Sequence, residues 1–393
     1  MSHKLINHSA DLKKLRDQGY EVEITSGYLI VSHVPYLNCK REIKYGTLVS
    51  ELTLAGDKTA KPKDHIIHFI GEYPCDKNGV EIPQIKNQCQ TKTLAEGIVI
   101  NYSFSNKPKN GYSDYFEKVV RYIEIISAPP RSIDHTITAQ TYKVIKDKEE
   151  STVFKYIDSN SSRADIIKVT EKIKDQKIAI IGLGGSGAYV LDFIAKTPIA
   201  EIHLYDDDKF NQHNAFRSPG AASISDLEDQ LLKVEYYENV YSNMHRNIIT
   251  HAYKIEESNV EELLGFDFIF ICIDSGIEKK RIFDVLINGS IPFVDVGMGI
   301  ENNDDKLTGM LRVTASSEQK NDHVNNKIIS FSDNDNDAIY KKNIQIAELN
   351  ALNAAYAVIK WKKHFGFFDD QEHENHSLYV IAGNNVINEF HNT

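Results

Sequence analysis

The stretch Ile178-Ala-Ile-Ile-Gly182-Leu-Gly184-Gly185-Ser186-Gly187 carries a Gly-x-Gly-x-x-Gly spacing. Small residues permit a tight turn, and a helix that starts there offers unpaired N–H groups to a phosphate. The spacing alone does not say which nucleotide binds. Asp206 closes the next strand roughly twenty residues on, where dinucleotide sites hold the ribose hydroxyls. It opens the run Asp206-Asp207-Asp208, followed by Lys-Phe-Asn-Gln-His-Asn214-Ala-Phe-Arg217. A nicotinamide-dependent oxidoreductase would use the glycines and Asp206 but leave Asn214 and Arg217 idle. The four cysteines, at 39, 75, 89 and 272, include no Cys-x-x-Cys pair, so a zinc knuckle of that type is not expected. Cys272 lies in an apolar run and reads as an inert core thiol, and Cys75 as a structural residue of a loop.

The glycine loop needs a strand before it and a helix after it. Apolar residues 178–181 supply the strand and residues 187–196 the helix. Further strands are expected at 201–205, 266–273 and 291–296. Strands alternating with helices imply a mostly parallel, Rossmann-like sheet covered on both faces. The fold class is therefore α/β in the C-terminal part, 165–393. Residues 300–338 are rich in Asn, Asp, Ser and Lys and read as a long polar loop. A helix at 343–364 is apolar most of the way round, so it is expected to be buried or to form a dimer face. Two short strands follow, at 377–381 and 386–390.

Residues 1–147 read as a smaller, strand-rich α+β domain, and the polar residues 148–164 as a linker. Its strands are expected at 27–37, 47–54, 65–73 and 97–104. One helix over 112–127 has Phe116, Val119, Val120, Ile123 and Ile126 at helical spacing, and Pro129-Pro130 is expected to end it. A short helix is expected over 9–18. His65 and His68 would point to opposite faces of their strand, which disfavours a metal site.

Composition sets the outer bounds. The 393 residues hold 45 Lys plus Arg and 56 Asp plus Glu, a net charge of −11. That balance, without a basic stripe, argues against a nucleic-acid partner. No apolar run approaches the ~20 residues of a membrane helix. The first residues read as no secretory signal. Few thiols in a long chain fit a reducing cytoplasm.

From the glycine loop onward the chain resembles the ThiF/MoeB and ubiquitin-activating-enzyme superfamily. Gly182, Gly184, Gly185 and Gly187 match its Gly-x-Gly-Gly-x-Gly, and Asp206 and Asp208 its Asp-x-Asp. Asn214 and Arg217 match its Asn-x-x-Arg, Lys233 its lysine, and Asp274, followed by Ser275, its strand-end aspartate. Arg163 lies where the family often has an arginine that reaches the partner subunit's nucleotide. Ser218 departs from the family's usual glutamine. The resemblance spans about 165–365 and implies a ThiF-like adenylation domain. It implies ATP and Mg2+ as cofactors, adenylation of the C-terminal glycine of a ubiquitin-like protein, and a homodimer in a bacterial conjugation pathway. A ubiquitin-carrier-like protein is a further partner it suggests. It assigns catalysis to Arg217, Lys233, Asp274 and Arg163. The glycines, Asp206, Asp208, Asn214 and Ser275 would help hold the nucleotide, and Asp274 the magnesium. The 300–338 loop would pass over the substrate tail. The N-terminal domain resembles an uncharacterised domain found ahead of ThiF-like domains in bacterial proteins, with recruitment or substrate docking as its expected role.

Many relatives carry an acceptor cysteine in the loop after the fourth core strand, and residues 291–340 contain none. The chain would then stop at the acyl-adenylate, or a hydroxyl such as Thr308, Thr314, Ser316 or Ser317 would accept the acyl group. A third reading is a nucleotide-binding interaction protein that has lost catalysis.

Overall fold

The computed structural model describes residues 2–145, 152–274, 276–325 and 344–391. The chain divides into two compact units. One holds the residues up to Ile145 together with Asp158–Asp165, and the other the remainder.

The first unit is a six-stranded antiparallel sheet. Helix α1 (Ala10–Asp17) precedes it. Its strands are β1 (Glu21–Thr25), β2 (Tyr28–Leu37), β3 (Ile43–Glu51), β4 (Ile66–Ile70), β5 (Lys86–Ala95) and β6 (Ile98–Ser105), in the order β1-β2-β3-β4-β6-β5. Helix α2 (Tyr115–Ile133) packs across β2. Val119, Tyr122 and Ile126 of α2 meet Leu12 and Leu15 of α1 and Phe69 and Phe104 of the sheet. The α2 helix runs through Pro129 and Pro130 instead of stopping before them. Proline's fixed φ is helical and its carbonyl still accepts: Asp134 N–H donates to the Pro130 carbonyl at 3.0 Å. Residues 158–164, read as linker, group with this unit, as does Asp165, read as the start of the next domain. Asp158 caps helix α3 (Ser159–Arg163), and Arg16 Nη2 donates to Ser162 Oγ at 2.5 Å.

The second unit is built on an eight-stranded sheet. In chain order come β7 (Lys177–Ile181), α4 (Gly185–Ile194), β8 (Glu201–Tyr205), α5 (Gln212–Ala215), α6 (Lys233–Tyr241), β9 (Ile248–His251) and β10 (Phe268–Ile271). Then follow α7 (Gly276–Asn288), β11 (Phe293–Asn303), β12 (Lys306–Ser316), α8 (Ala347–His364), β13 (Glu374–Val380) and β14 (Asn385–His391). The order is β9-β8-β7-β10-β11-β12-β13-β14. The first five strands are parallel and the last three join antiparallel. Chain order runs outward from β7 in both directions, so a crevice opens at the carboxyl ends of β7 and β10, where such sheets bind ligands. Helices α4, α6 and α8 cover one face, with Leu191, Tyr237 and Trp361 buried on it. Phe283 and Leu286 of α7 pack on the other. The α8 helix, expected to be buried or a dimer face, packs on α4, β11 and β12 of its own chain.

The expected long polar loop is corrected over its first part. Residues 293–316 form a hairpin, pairing Asn303 with Lys306 around Asp304 and Asp305. Both aspartates have positive φ, 51° and 60°, as the favoured two-residue hairpin turn requires. Polar side chains on the solvent side hid the strand. Residues 326–338 of that loop lie outside the described residues. Among the described residues no helix is long and apolar enough to cross a membrane.

Buried histidines tie this unit's stability to pH. His245 is fully buried, with Nε2 on the Ile199 carbonyl at 3.1 Å and Nδ1 accepting from Asn247 N–H. Burial pushes its pKa down to about 4. His376 is pushed down to about 4 by burial, with the Arg312 charge adding. An unfolded histidine takes its proton near pH 6.5. The unfolded chain therefore binds protons first, and these groups contribute stability that is complete above about pH 6.5 and lost as pH falls toward 4. Tm measured from pH 7 to pH 4.5 should fall steadily. A flat or rising Tm over that window would contradict the neutral buried imidazoles.

Candidate active site

Three of the four glycines in the loop are required by packing. Gly182 turns the chain after β7 with φ +88°, and its N–H donates to the Tyr205 carbonyl of β8 at 2.8 Å. A Cβ there would lie 2.8 Å from the Cys272 carbonyl at the end of β10. A Cβ on Gly187 would lie 1.9 Å from the Gly182 carbonyl, and one on Gly185 only 2.0 Å from Asn350 Nδ2. Gly184 is different: nothing stands within 4 Å of where its Cβ would be. The loop is thus pressed between β7, β10 and α8 and open at Gly184, beside the first turn of α4. N–H groups of a first helical turn have no partner within the helix.

Asp206 directly follows β8 and holds this loop. Its Oδ2 accepts from Leu183 N–H at 2.7 Å and its Oδ1 from Asp208 N–H at 2.9 Å. Lys233 Nζ lies 3.2 Å from Asp206 Oδ1 and 2.7 Å from Asp208 Oδ2. The Lys233 backbone N–H donates to the Asp208 carbonyl at 2.8 Å, which fixes the start of α6. Asp206 and Lys233 side chains are 8% and 7% exposed, whereas Asp208 is 66% exposed. The hydrogen bond from Lys233 holds the Asp208 carboxyl below the usual aspartate range. So the residue expected on the ribose is already engaged in the protein, and the exposed carboxylates of the run are Asp207 and Asp208. The cleft beside them is lined by Gly182, Tyr205, Asp207, Lys254, Ile273 and Glu278. Asp206, Asp207 and Asp208 bring carboxylate oxygens within 4.8 Å of one another. The Lys233 ammonium already bridges two of the three, Asp206 and Asp208.

Asn214 shapes the turn that carries Arg217. It is 2% exposed, and its Oδ1 accepts from Asn211 N–H at 2.9 Å. Its carbonyl accepts from Arg217 N–H at 3.1 Å and from Ser218 Oγ at 2.7 Å. Arg217 Nε is buried without a hydrogen-bond partner among the described residues. A buried donor left unpaired is costly, and an anion is the partner a guanidinium fits best.

Asp274 follows β10 and is exposed. Ser275 lies outside the described residues. Arg163 is exposed at the end of α3, in the first unit. Burial pushes the Cys272 and Cys75 thiols up, which suits inert residues, while Cys39 and Cys89 are exposed. Of the proposed acyl acceptors, Thr314 and Ser316 are buried. The Thr314 hydroxyl is taken, accepting from Arg312 Nη1 at 3.0 Å and bonded to His376 Nδ1 at 2.9 Å.

Sequence reasoning missed the network beside this threonine. Asp295 of β11 is fully buried, with Lys279 Nζ of α7 at 2.8 Å from Oδ1 and Arg312 Nη2 of β12 at 2.6 Å from Oδ2. An aspartate inside the run Ile-Pro-Phe-Val-Asp295-Val was the available signal, since a charge buried in a strand must be paired. The ion pair anchors the first turns of α7, just after Asp274, to β11.

Residues 159–338 match the ThiF family, and residues 10–159 match a domain of unknown function, DUF6791. Residues 159–338 are a ThiF family domain, preceded by a DUF6791 domain. The chain is 26% identical over 159 residues to ubiquitin-like modifier-activating enzyme 5 of Drosophila mojavensis, covering 37% of each protein. It is 28% identical over 138 residues to the adenylyltransferase and sulfurtransferase UBA4 of Saccharomyces cerevisiae, covering 33% of this chain and 30% of that protein. The chain thus spans about a third of the length of these curated relatives. Among solved structures, E. coli MccB with ATP superposes with a TM-score of 0.43 at 17% identity, over 58% of this chain and 70% of that one. PaaA gives a TM-score of 0.45 at 16% identity, over 70% and 94%.

The buried network gives a direct test. Asp295→Ala leaves Lys279 and Arg312 without their shared carboxylate, and breaking a buried pair from one side costs about 3–5 kcal/mol. Urea denaturation should show a loss of that size. A change below about 1 kcal/mol would contradict the burial and pairing described.

Proposed function

We propose that the second unit binds ATP with magnesium and adenylates the C-terminal carboxylate of a ubiquitin-like protein. The observation that carries this reading is Arg217, a guanidinium with a buried, unpartnered Nε–H in the turn after Asp206. The ThiF family match and the names of the relatives support it.

Attack of a carboxylate oxygen on the α-phosphorus forms the acyl-phosphate bond and releases pyrophosphate. Negative charge grows on the phosphoryl oxygens, so the protein's task is positioning and cationic stabilisation. Arg217 would hold phosphate oxygens. Lys233 would turn part of its charge from Asp208 to the nucleotide. Gly184 and the first turn of α4 would present N–H groups to the phosphates. Asp208, an exposed carboxylate held by Lys233, would take the ribose, with Asp206 bracing the loop. No general base is needed, because the attacking carboxylate is already ionised. Magnesium suits Asp274: one exposed hard carboxylate, with phosphate oxygens and waters, is its usual coordination. When bound it would neutralise phosphate charge. The acyl-adenylate would pass to a partner, since residues 291–340 hold no cysteine to accept it. We further propose a homodimer, in which Arg163 reaches the partner subunit's nucleotide.

ATP with magnesium at ~100 times its dissociation constant should add about 2.7 kcal/mol of stability, a clear rise in Tm. Arg217→Ala, weakening ATP about tenfold, should cut that gain to about 1.4 kcal/mol at the same ATP concentration. ATP–pyrophosphate exchange should appear with ubiquitin-like proteins ending in Gly-Gly and vanish when that terminus is amidated. Stabilisation by NAD instead of ATP would overturn the reading.

A further inference from the structure

Two asparagines, Asn350 and Asn353, are buried on α8 to 1% exposure. Burying an amide is costly unless it is hydrogen-bonded, so its partners show what it serves. Asn353 Nδ2 donates to the Gly297 carbonyl at 3.1 Å, which fastens the helix to β11. Asn350 reaches elsewhere. Its Oδ1 accepts from Ser186 Oγ at 3.1 Å, in the first turn of α4. Its Nδ2 donates to the Arg217 carbonyl at 3.3 Å. Its amide also fills the space that a side chain on Gly185 would need. One side chain therefore touches the glycine loop's helix and the backbone of Arg217. These two segments lie about thirty residues apart in sequence, and a longer bond further along α4, from Tyr189 Oη to the Ser218 carbonyl at 3.5 Å, joins them as well.

We infer that Asn350 is a positioning residue of the nucleotide site: it sets the Arg217 turn against the start of α4, so that guanidinium and loop N–H groups converge on the same phosphates. The inference rests on the reading above that Arg217 holds phosphate. Asn350 does not itself touch the nucleotide. It acts through two groups whose relative placement has to be held to a fraction of an ångström for both to engage one ligand.

Asn350→Asp separates this role from simple packing. It keeps the size and the acceptor for Ser186 but sets an oxygen against the Arg217 carbonyl in place of the donor. Calorimetry with ATP and with adenosine, both with magnesium, reads the result. Arg217→Ala and Asn350→Asp should each weaken ATP about tenfold and leave adenosine within twofold. The double variant should bind ATP no more weakly than Arg217→Ala alone, because both changes remove the same interaction. Asn350→Ala, which leaves space instead of a misplaced charge, carries the same expectation and serves if Asn350→Asp does not fold. Unchanged ATP affinity in the Asn350 variants, equal weakening of ATP and adenosine, or additive loss in the double variant would overturn the inference. Absence of ATP binding by the unaltered protein would overturn the underlying reading instead.

Discussion

The candidate site depends on one carboxylate. Asp206 is nearly out of water, so its charge must be met from inside the protein. The donors that meet it come from the chain after β7, from its own turn after β8, and from α6. Those contacts draw the glycine loop, the acidic turn and Lys233 into one cluster at the carboxyl ends of the parallel strands. The missing side chains at Gly182 and Gly187 let the backbone close to that distance. Replacing either with a larger residue would force carbonyls apart that the sheet holds together.

Several described cations of this unit are neutralised at home. Lys279 and Arg312 share Asp295, and Lys233 sits between Asp206 and Asp208. These pairs cost desolvation and repay it chiefly by fixing segments relative to one another. Arg217 keeps a buried Nε–H with no hydrogen-bond partner among the described residues. A protein tolerates an unpaired donor of this kind where a ligand completes it. The distribution of charge therefore points to an anionic ligand at the glycine loop even though the chain as a whole is acidic.

The legible parts of the sequence were the local ones. Gly182 to Gly187 announces its turn because the spacing itself is the structure. The strand before it and the helix after it follow within a few residues of expectation. The antiparallel additions were less visible. Strand β12 alternates apolar and polar residues weakly, and its two-aspartate turn reads as loop until both φ angles are seen to be positive. Strand β5 is exposed on both faces along most of its length, so no apolar period marks it. Strand β1 is short and charged. Pro129 and Pro130 misled because proline usually ends helices, and here the last turn accommodates both. The Asp295 network and the Asn350 contacts join residues distant in sequence, and spacing carries no record of such meetings. Asp206 shows the limit from the other side: its position was plain, but its bonding to Leu183 and Lys233 appears only in three dimensions.

On the function proposed above, this crevice is built for the phosphates of ATP. The most direct measurement is a crystal structure of the protein with a non-hydrolysable ATP analogue and magnesium. The expected result is the ribose at Asp208, the phosphates over Gly184 and the first turn of α4, and the Arg217 guanidinium within hydrogen-bond distance of a phosphate oxygen. A nucleotide bound elsewhere, or phosphates turned away from Arg217, would contradict it.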